Sequence, residues 1–150
     1  ELILLYSHPK VNMAATGVSA SDEVATKFND IKLGRCKARF VVYKIEGAFI
    51  VEEHISMDGS FDDFVKLMPE DDCRYALFDF AFTTSDGRPT TKLCMISWAP
   101  DTAKIKSKMI YAGSKDALSR VFVGVATKVT ATDMSELTEE ICLDACKKFA

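Results

Sequence analysis

The side chains that could do chemistry are few, and they lack the neighbours that catalysis needs. The chain has 2 histidines, and His54 lies in a strand-like run where we expect a surface or half-buried side chain. A serine nucleophile would need a GxSxG turn, and phosphate binding would need a loop such as GxxxxGKS/T or GxGxxG; the sequence contains none of these. We therefore expect a binding module, with an enzyme that uses His54 or a cysteine as the alternative.

The 5 cysteines predict reduced thiols. Their number is odd and no CxxC pair occurs, which favours an intracellular protein over a disulfide framework. Cys142 and Cys146 share one face of a predicted helix, where we expect them to line the core; a redox or metal role is the alternative. Residues 58–63 lack the ligand register of a calcium loop, and no cluster has zinc spacing. We expect neither a metal nor a cofactor.

A basic segment over residues 100–118 carries the clearest pattern. In a helix, Lys104 and Lys108 lie on one side of a stripe formed by Ile105 and Met109, and Lys106 lies on the other side, because successive residues are about 100° apart. A methionine between lysines suits a protein interface, since its flexible side chain adapts to an apolar cleft. The same spacing is typical of an ordinary amphipathic surface helix, so spacing alone leaves both interpretations open.

Composition predicts one globular domain. A chain of 150 residues with 48% hydrophobic and 27% charged residues can bury its own core and is too apolar to be disordered. The net charge of -3 argues against bulk nucleic-acid binding. No run of about 18 apolar residues exists, so we expect no stable membrane insertion. Residues 1–12 precede Met13 and are predicted to be a vector-derived or otherwise non-domain extension, which leaves residues 13–150 as the domain.

Helix boundaries are predicted from capping residues. Ser21 is a predicted N-cap and Gly34 a predicted stop. Ser60 with Asp63 resembles a capping box, and Thr138 predicts the start of the last helix. The sequence also predicts two helices, over residues 104–112 and 114–122, with a break at Gly113. The last helix is predicted to have Ile141, Ala145 and Phe149 on its apolar face.

Runs of β-branched and aromatic residues predict strands, and turn residues between them predict two hairpins. Helices intermixed with hairpins favour an α/β protein of the α+β type, with a central mixed sheet of about five to six strands flanked by helices on both faces. The predicted strands are residues 40–45, 49–55, 74–83, 92–98 and 128–131.

The segment WAPDTAKIKSKMIYAGSKDAL, residues 98–118, resembles the part of ADF/cofilin proteins that forms a long kinked helix and inserts between two actin subdomains. Other segments resemble that family in the same order: residues 17–34 its N-terminus and first helix, residues 67–80 its third-strand entry, and residues 132–136 the approach to its last helix. The resemblance covers about residues 15–148. It implies a single ADF-homology domain of gelsolin-like architecture.

The resemblance also implies a function. Members of the family bind actin monomers and filaments, prefer the ADP-bound form, and promote filament severing, depolymerisation and turnover. A cytoplasmic, cytoskeletal and non-enzymatic protein is therefore implied, monomeric and without cofactors, with phosphoinositide headgroups as competitors for its basic surface. Two related alternatives stay open: a protein of the glia-maturation-factor type that binds the Arp2/3 complex, and a protein that only sequesters monomers.

Carried over residue by residue, the resemblance implies a monomer-binding surface. Thr16 stands where the family has a regulatory serine, so it is a candidate for phosphorylation. A phosphate there would add about −2 charge and weaken binding to an acidic partner. The implied monomer contacts are Thr16, Gly17, Val18, Lys106, Lys108, Met109, Ser114 and Asp116.

A second, filament-binding surface is implied less completely. Thr90 and Thr91 stand in a turn where cofilins are basic, and Ala145 stands where an arginine is usual. Fewer charges at a polar rim slow association, so we expect weakened side-binding to filaments. The implied filament contacts are Arg88, Lys92, Asp144 and Lys148.

Overall fold

The protein is built on one mixed β-sheet, seen in a computed structural model that describes residues 15–148. The described strands are Ser19–Ala20 (β1), Phe40–Glu46 (β2), Phe49–Ser56 (β3), Arg74–Thr83 (β4), Pro89–Trp98 (β5) and Thr127–Ala131 (β6). Their order in the sheet is β1-β3-β2-β4-β5-β6. β1 runs parallel to β3 and β6 parallel to β5, whereas the other neighbours are antiparallel. The extension predicted over residues 1–12 lies outside the described residues.

Helices cover both faces of this sheet. In the described chain they are Asp22–Lys32 (α1), Phe61–Lys66 (α2), Ile105–Val121 (α3) and Glu139–Lys147 (α4), with a short 3-10 helix at Met134–Glu136. The predicted α+β class and mixed sheet are therefore confirmed. None of the helices within residues 15–148 is long and apolar enough to cross a membrane.

The capping residues act as the sequence predicts. The Ser21 hydroxyl accepts a hydrogen bond from the Val24 amide, and Gly34 follows α1 with a φ of +78°, a conformation that glycine adopts without strain. Ser60 and Asp63 exchange the two hydrogen bonds of a capping box at the start of α2. Each of these capping hydrogen bonds joins residues three positions apart, so the sequence alone can predict them.

Both predicted hairpins are present. β2 and β3 are joined through Gly47, which has a φ of +63°, and β4 pairs with β5 along the whole of both strands. β5 begins at Pro89, earlier than the predicted start at residue 92. Proline is tolerated at the first residue of a strand because no ladder hydrogen bond is needed from it there.

Two apolar cores lie on the two faces of the sheet, because successive side chains of a strand point to opposite faces. Tyr75 and Leu77 of β4 belong to the core beneath α1 and α3, where the rings of Phe28 and Phe122 stack with centroids 4.8 Å apart. Phe78, on the opposite side of β4, belongs to the aromatic core beneath α2 and α4. This arrangement holds α3 against one face of the sheet along its buried side.

Two details of the helices differ from the predictions. α3 is continuous through Gly113, because its buried side chains on both sides of the glycine, such as Tyr111 and Leu118, pack on the sheet. In α4 the buried face consists of Cys142 and Cys146, as the core-lining interpretation of these cysteines predicts. Ile141 is 42% exposed, so the predicted Ile141 and Ala145 face is wrong; Phe149 lies outside the described residues.

Candidate functional site

The exposed face of α3 carries two large apolar side chains. Ile105 is 72% exposed and Met109 is 68% exposed, and they lie one turn apart on the side of the helix that faces away from the sheet. Lys106 is exposed beside them, and Lys108 is half-buried on the other flank, where its Nζ donates to the Asp101 carbonyl at 3.2 Å. The predicted arrangement of an apolar stripe between lysines is therefore present.

A pair of tyrosines fixes the middle of α3 to the sheet. The Tyr111 hydroxyl accepts a hydrogen bond from the Ile45 amide at 2.9 Å, and the Tyr75 hydroxyl donates to the Tyr111 carbonyl. Pairing of β2 with β4 ends at Tyr43 and Tyr75. The Ile45 amide lies beyond that pairing, and the Tyr111 hydroxyl supplies its hydrogen-bond acceptor. The helix is thus bonded to two strands as well as packed on them.

Polar contacts also fix the first turn of α3. The Ser107 hydroxyl lies 3.0 Å from Oδ1 of Asp72, and Oδ2 of Asp72 lies 2.8 Å from Arg74 Nη1. Arg74 also pairs with Glu53 of β3, with Nε and Oε1 2.9 Å apart. Partial burial by itself would raise the pKa of Asp72, but hydrogen bonds from Arg74, the Cys73 amide and Ser107 hold that pKa below its usual value. The ionised carboxylate is the form that anchors the helix.

The N-terminal segment meets α3 at its centre. Oγ1 of Thr16 lies 2.8 Å from the hydroxyl of Ser114, and its methyl group approaches Gly113 so closely that a Cβ built there would lie 2.8 Å away. Thr16 and Gly17 are exposed, and Asp116 is exposed two turns after Met109 on the same face of α3. The structure therefore brings the N-terminal and helical candidates onto one surface.

Two predicted contact residues have a different role. Ser114 is 0% exposed, because its side chain lies beneath Thr16, and Val18 is buried in the core next to α3. Neither side chain is accessible to a partner in this conformation, so their direct contact stays a prediction that would need the N-terminal segment to move. Both instead position the exposed residues next to them, which sequence spacing could not reveal.

The filament candidates do not lie in a single cluster. Arg88 lies in the turn between β4 and β5, where its Nε is 2.9 Å from Oδ2 of Asp86. It lines one cleft with Lys147 of α4, a residue that the sequence analysis did not select. Lys92 lines another cleft. The remaining candidates, Asp144 and Lys148, are exposed at the end of α4.

The groups considered for catalysis do not assemble into a site. His54 is exposed, and its ring stacks on Phe40 with centroids 5.9 Å apart, as predicted for a strand surface residue. Cys94, Cys142 and Cys146 are buried in the core beneath α4. Within residues 15–148, no group of three or more His, Cys, Asp or Glu side chains is placed to hold a metal ion.

Comparison with known proteins gives one consistent result. The family described as "Cofilin/tropomyosin-type actin-binding protein" matches residues 17–147. The chain is 42% identical over 145 residues to a cofilin of Yarrowia lipolytica, with 94% of each chain covered. It is 45% identical over 134 residues to a cofilin of Schizosaccharomyces pombe, covering 88% of this chain and 96% of the relative.

A solved structure agrees with these relatives. The crystal structure of Streptomyces griseoflavus cofilin superimposes with a TM-score of 0.77 at 36% identity, covering 86% of this chain and 98% of that one. The family match over residues 17–147 includes all the described strands and helices. The chain belongs to the ADF/cofilin family.

Proposed function

We propose that this protein binds actin through the exposed face of α3 and the adjoining N-terminal residues, and so promotes depolymerisation and turnover of actin filaments. Membership of a family of actin-binding proteins supports this proposal. The observation that carries it is the exposed pair Ile105 and Met109, flanked by Lys106 and Lys108, on a helix bonded to the sheet. The matches to cofilins do not favour the alternative in which the Arp2/3 complex is the partner.

The chemistry of this surface explains how it would bind. Full burial of a methionine or isoleucine side chain contributes about 1.5–3 kcal/mol, so Met109 and Ile105 favour the complex when they enter an apolar cleft. The lysines remain at the rim, where they steer association with an acidic surface and fix the orientation of the complex. No step in this process needs a metal, a cofactor or covalent chemistry. Binding is stoichiometric, and the protein acts as a monomer in the cytoplasm.

Monomer binding and filament binding are expected to use different parts of the protein surface. Contact with monomers, preferably ADP-bound, uses the α3 surface and the adjoining N-terminal residues, whereas side-binding to filaments and severing add Arg88 and the C-terminal end of α4. Thr90 and Thr91 supply no positive charge beside Arg88, so side-binding is weakened relative to monomer binding. Phosphoinositide headgroups compete for Lys106 and Lys108, since a polyphosphate is attracted to the same positive charges.

Phosphorylation of Thr16 would switch this surface off. The Thr16 hydroxyl is engaged with Ser114, so a phosphate on Oγ1 breaks that contact and displaces the N-terminal segment. It also places about two negative charges next to an acidic partner. Both effects act in the same direction, and both weaken the complex with actin.

The test measures how tightly this protein binds actin monomers and actin filaments. Binding to ADP- and ATP-actin monomers is measured by fluorescence titration, and binding to filaments by co-sedimentation over a series of salt concentrations. We expect tighter binding to ADP-monomers and a filament affinity that falls steeply with salt. A protein that failed to bind monomers but was retained by the Arp2/3 complex would contradict the proposal.

A further inference from the structure

Gly113 occupies a position where a glycine weakens the fold without any local need for it. It lies inside α3, and glycine destabilises a helix interior relative to alanine. Its φ is not in the left-handed region, so a side chain could be accommodated by the backbone. Outside the two neighbouring residues and the helix's own backbone, the heavy atom within 4 Å that a Cβ at this position would meet is Cγ2 of Thr16, 2.8 Å away. The effect of the glycine is therefore to make room for the Thr16 methyl group.

We propose that Gly113 is a positioning residue that seats Thr16 on α3 and so fixes the N-terminal part of the actin-binding surface. The inference rests on the proposed function and deepens it. Real Cβ atoms essentially never come within 3.0 Å of another heavy atom, so a Cβ at this position requires the Thr16 side chain to shift. Displacement also breaks the 2.8 Å contact between Thr16 and Ser114.

Backbone hydrogen bonds also hold the residues that follow Thr16 in place. The Val18 amide donates to Oγ1 of Thr16 at 3.4 Å, and the Ser19 amide donates to the Ala48 carbonyl at 3.0 Å. Gly17 lies between these fixed points with a φ of +83°. The exposed Thr16 and Gly17 are consequently ordered before a partner arrives, and ordering in advance removes part of the entropy loss on binding.

The test is a double-mutant cycle between Gly113→Ala and Thr16→Ser. Serine keeps the hydroxyl but lacks the methyl group, so it leaves room for the alanine Cβ. We expect Gly113→Ala to weaken monomer binding about tenfold in the wild-type background and less than about twofold in the Thr16→Ser background. The melting midpoint of Gly113→Ala should be no lower than that of the wild type, because alanine favours the helix.

Two outcomes would overturn the inference. An equal loss in both backgrounds would show that the alanine methyl group blocks the partner directly, and no loss in either would show that the seat of Thr16 does not matter for binding.

A readout without actin separates this inference from the proposed function. The hydrogen-exchange rate of the Val18 amide should rise in Gly113→Ala and return towards the Thr16→Ser rate in the double variant. An unchanged exchange rate would refute the seat itself. Failure of the wild-type protein to bind actin would instead refute the proposed function.

Discussion

Met109 lies at the centre of the exposed face of α3, with Ile105 one turn before it and Asp116 two turns after it. A single exposed apolar residue is common on protein surfaces. Two large apolar side chains with lysines on both sides form a patch of the kind that partners bury. Neither side chain belongs to either core cluster. The patch can therefore change without loss of the fold.

We predict that Met109→Ala weakens actin-monomer binding by more than tenfold, because loss of a buried methionine contact removes more than about 1.4 kcal/mol of binding free energy. The free energy of unfolding in urea should stay within about 0.5 kcal/mol of the wild-type value, as expected for a surface substitution. Met57→Ala is the matched control, since Met57 is also largely exposed but follows β3, away from α3. Equal effects of the two variants would contradict the assignment.

At the scale of elements, α3 is a rigid support because each of its parts is bonded to a different strand or loop. Ser107 contacts Asp72, Tyr111 contacts β2, and Ser114 contacts Thr16. Residues held in this way keep their geometry before binding, which lowers the entropic cost of forming a complex. We therefore expect the affinity of the exposed face to depend on these supporting contacts as well as on the exposed residues.

The Asp72 anchor makes part of the stability dependent on pH. The pKa of Asp72 is lower in the folded protein than in the unfolded chain, where it is about 3.9. The stabilisation is therefore complete above about pH 4 and disappears as the pH falls through the folded-state pKa. We predict that Asp72→Asn lowers the urea midpoint at pH 7 and that the difference from the wild type shrinks below about pH 4.

The exposed Asp58 provides the control for this pH series, because Asp58→Asn removes the same charge outside the Asp72 and Arg74 pair. A midpoint difference for Asp72→Asn that stayed constant from pH 7 down to pH 3 would show that the carboxylate charge does not hold α3.

At the scale of the whole molecule, α3 and the C-terminal end of α4 lie on opposite faces of the sheet. α3 packs on one face, whereas α4 packs on the other, and Arg88 lies at the turn of the β4–β5 hairpin. Substitutions more than about 7–10 Å apart without shared partners have additive effects. Monomer binding and filament side-binding should therefore be separable by mutation.

We predict that Arg88→Ala/Lys147→Ala lowers both the affinity for filaments and the dependence of that affinity on salt. The variant removes two positive charges whose attraction to the filament is screened by salt. Monomer affinity should change by less than about twofold, since neither residue lies near α3. Co-sedimentation and monomer titration on the same preparation measure both quantities. A parallel loss of monomer binding would show that the two surfaces are not independent.

The features that the sequence predicts correctly are those set by neighbouring residues. The caps at Ser21 and Ser60, the two hairpins and the strand alternation depend on short-range patterns. β1 was not predicted, because two residues are too short to show a period and its pairing partner is distant in sequence. The continuity of α3 through Gly113 likewise depends on tertiary packing, which overrides the low helix propensity of glycine.

In the candidate site, too, some residues could be predicted from local spacing and others depend on tertiary contacts. Lys106 and Met109 could be assigned to one exposed face from helical spacing alone. The burial of Ser114 and Val18 could not, because it depends on where the N-terminal segment crosses α3. Lys147 was missed for a similar reason, since its neighbour Arg88 is far away in sequence.

The most direct test of the central claim is the affinity of Lys106→Ala/Lys108→Ala for actin monomers. Lys37→Ala/Lys66→Ala is the matched control, since it removes the same charge from exposed positions away from α3. We predict that the α3 variant binds at least tenfold more weakly and with a smaller dependence on salt, while the control stays within about twofold of the wild type. Unchanged binding by the α3 variant, or an equal loss in the control, would contradict the assignment of α3 as the actin-binding surface.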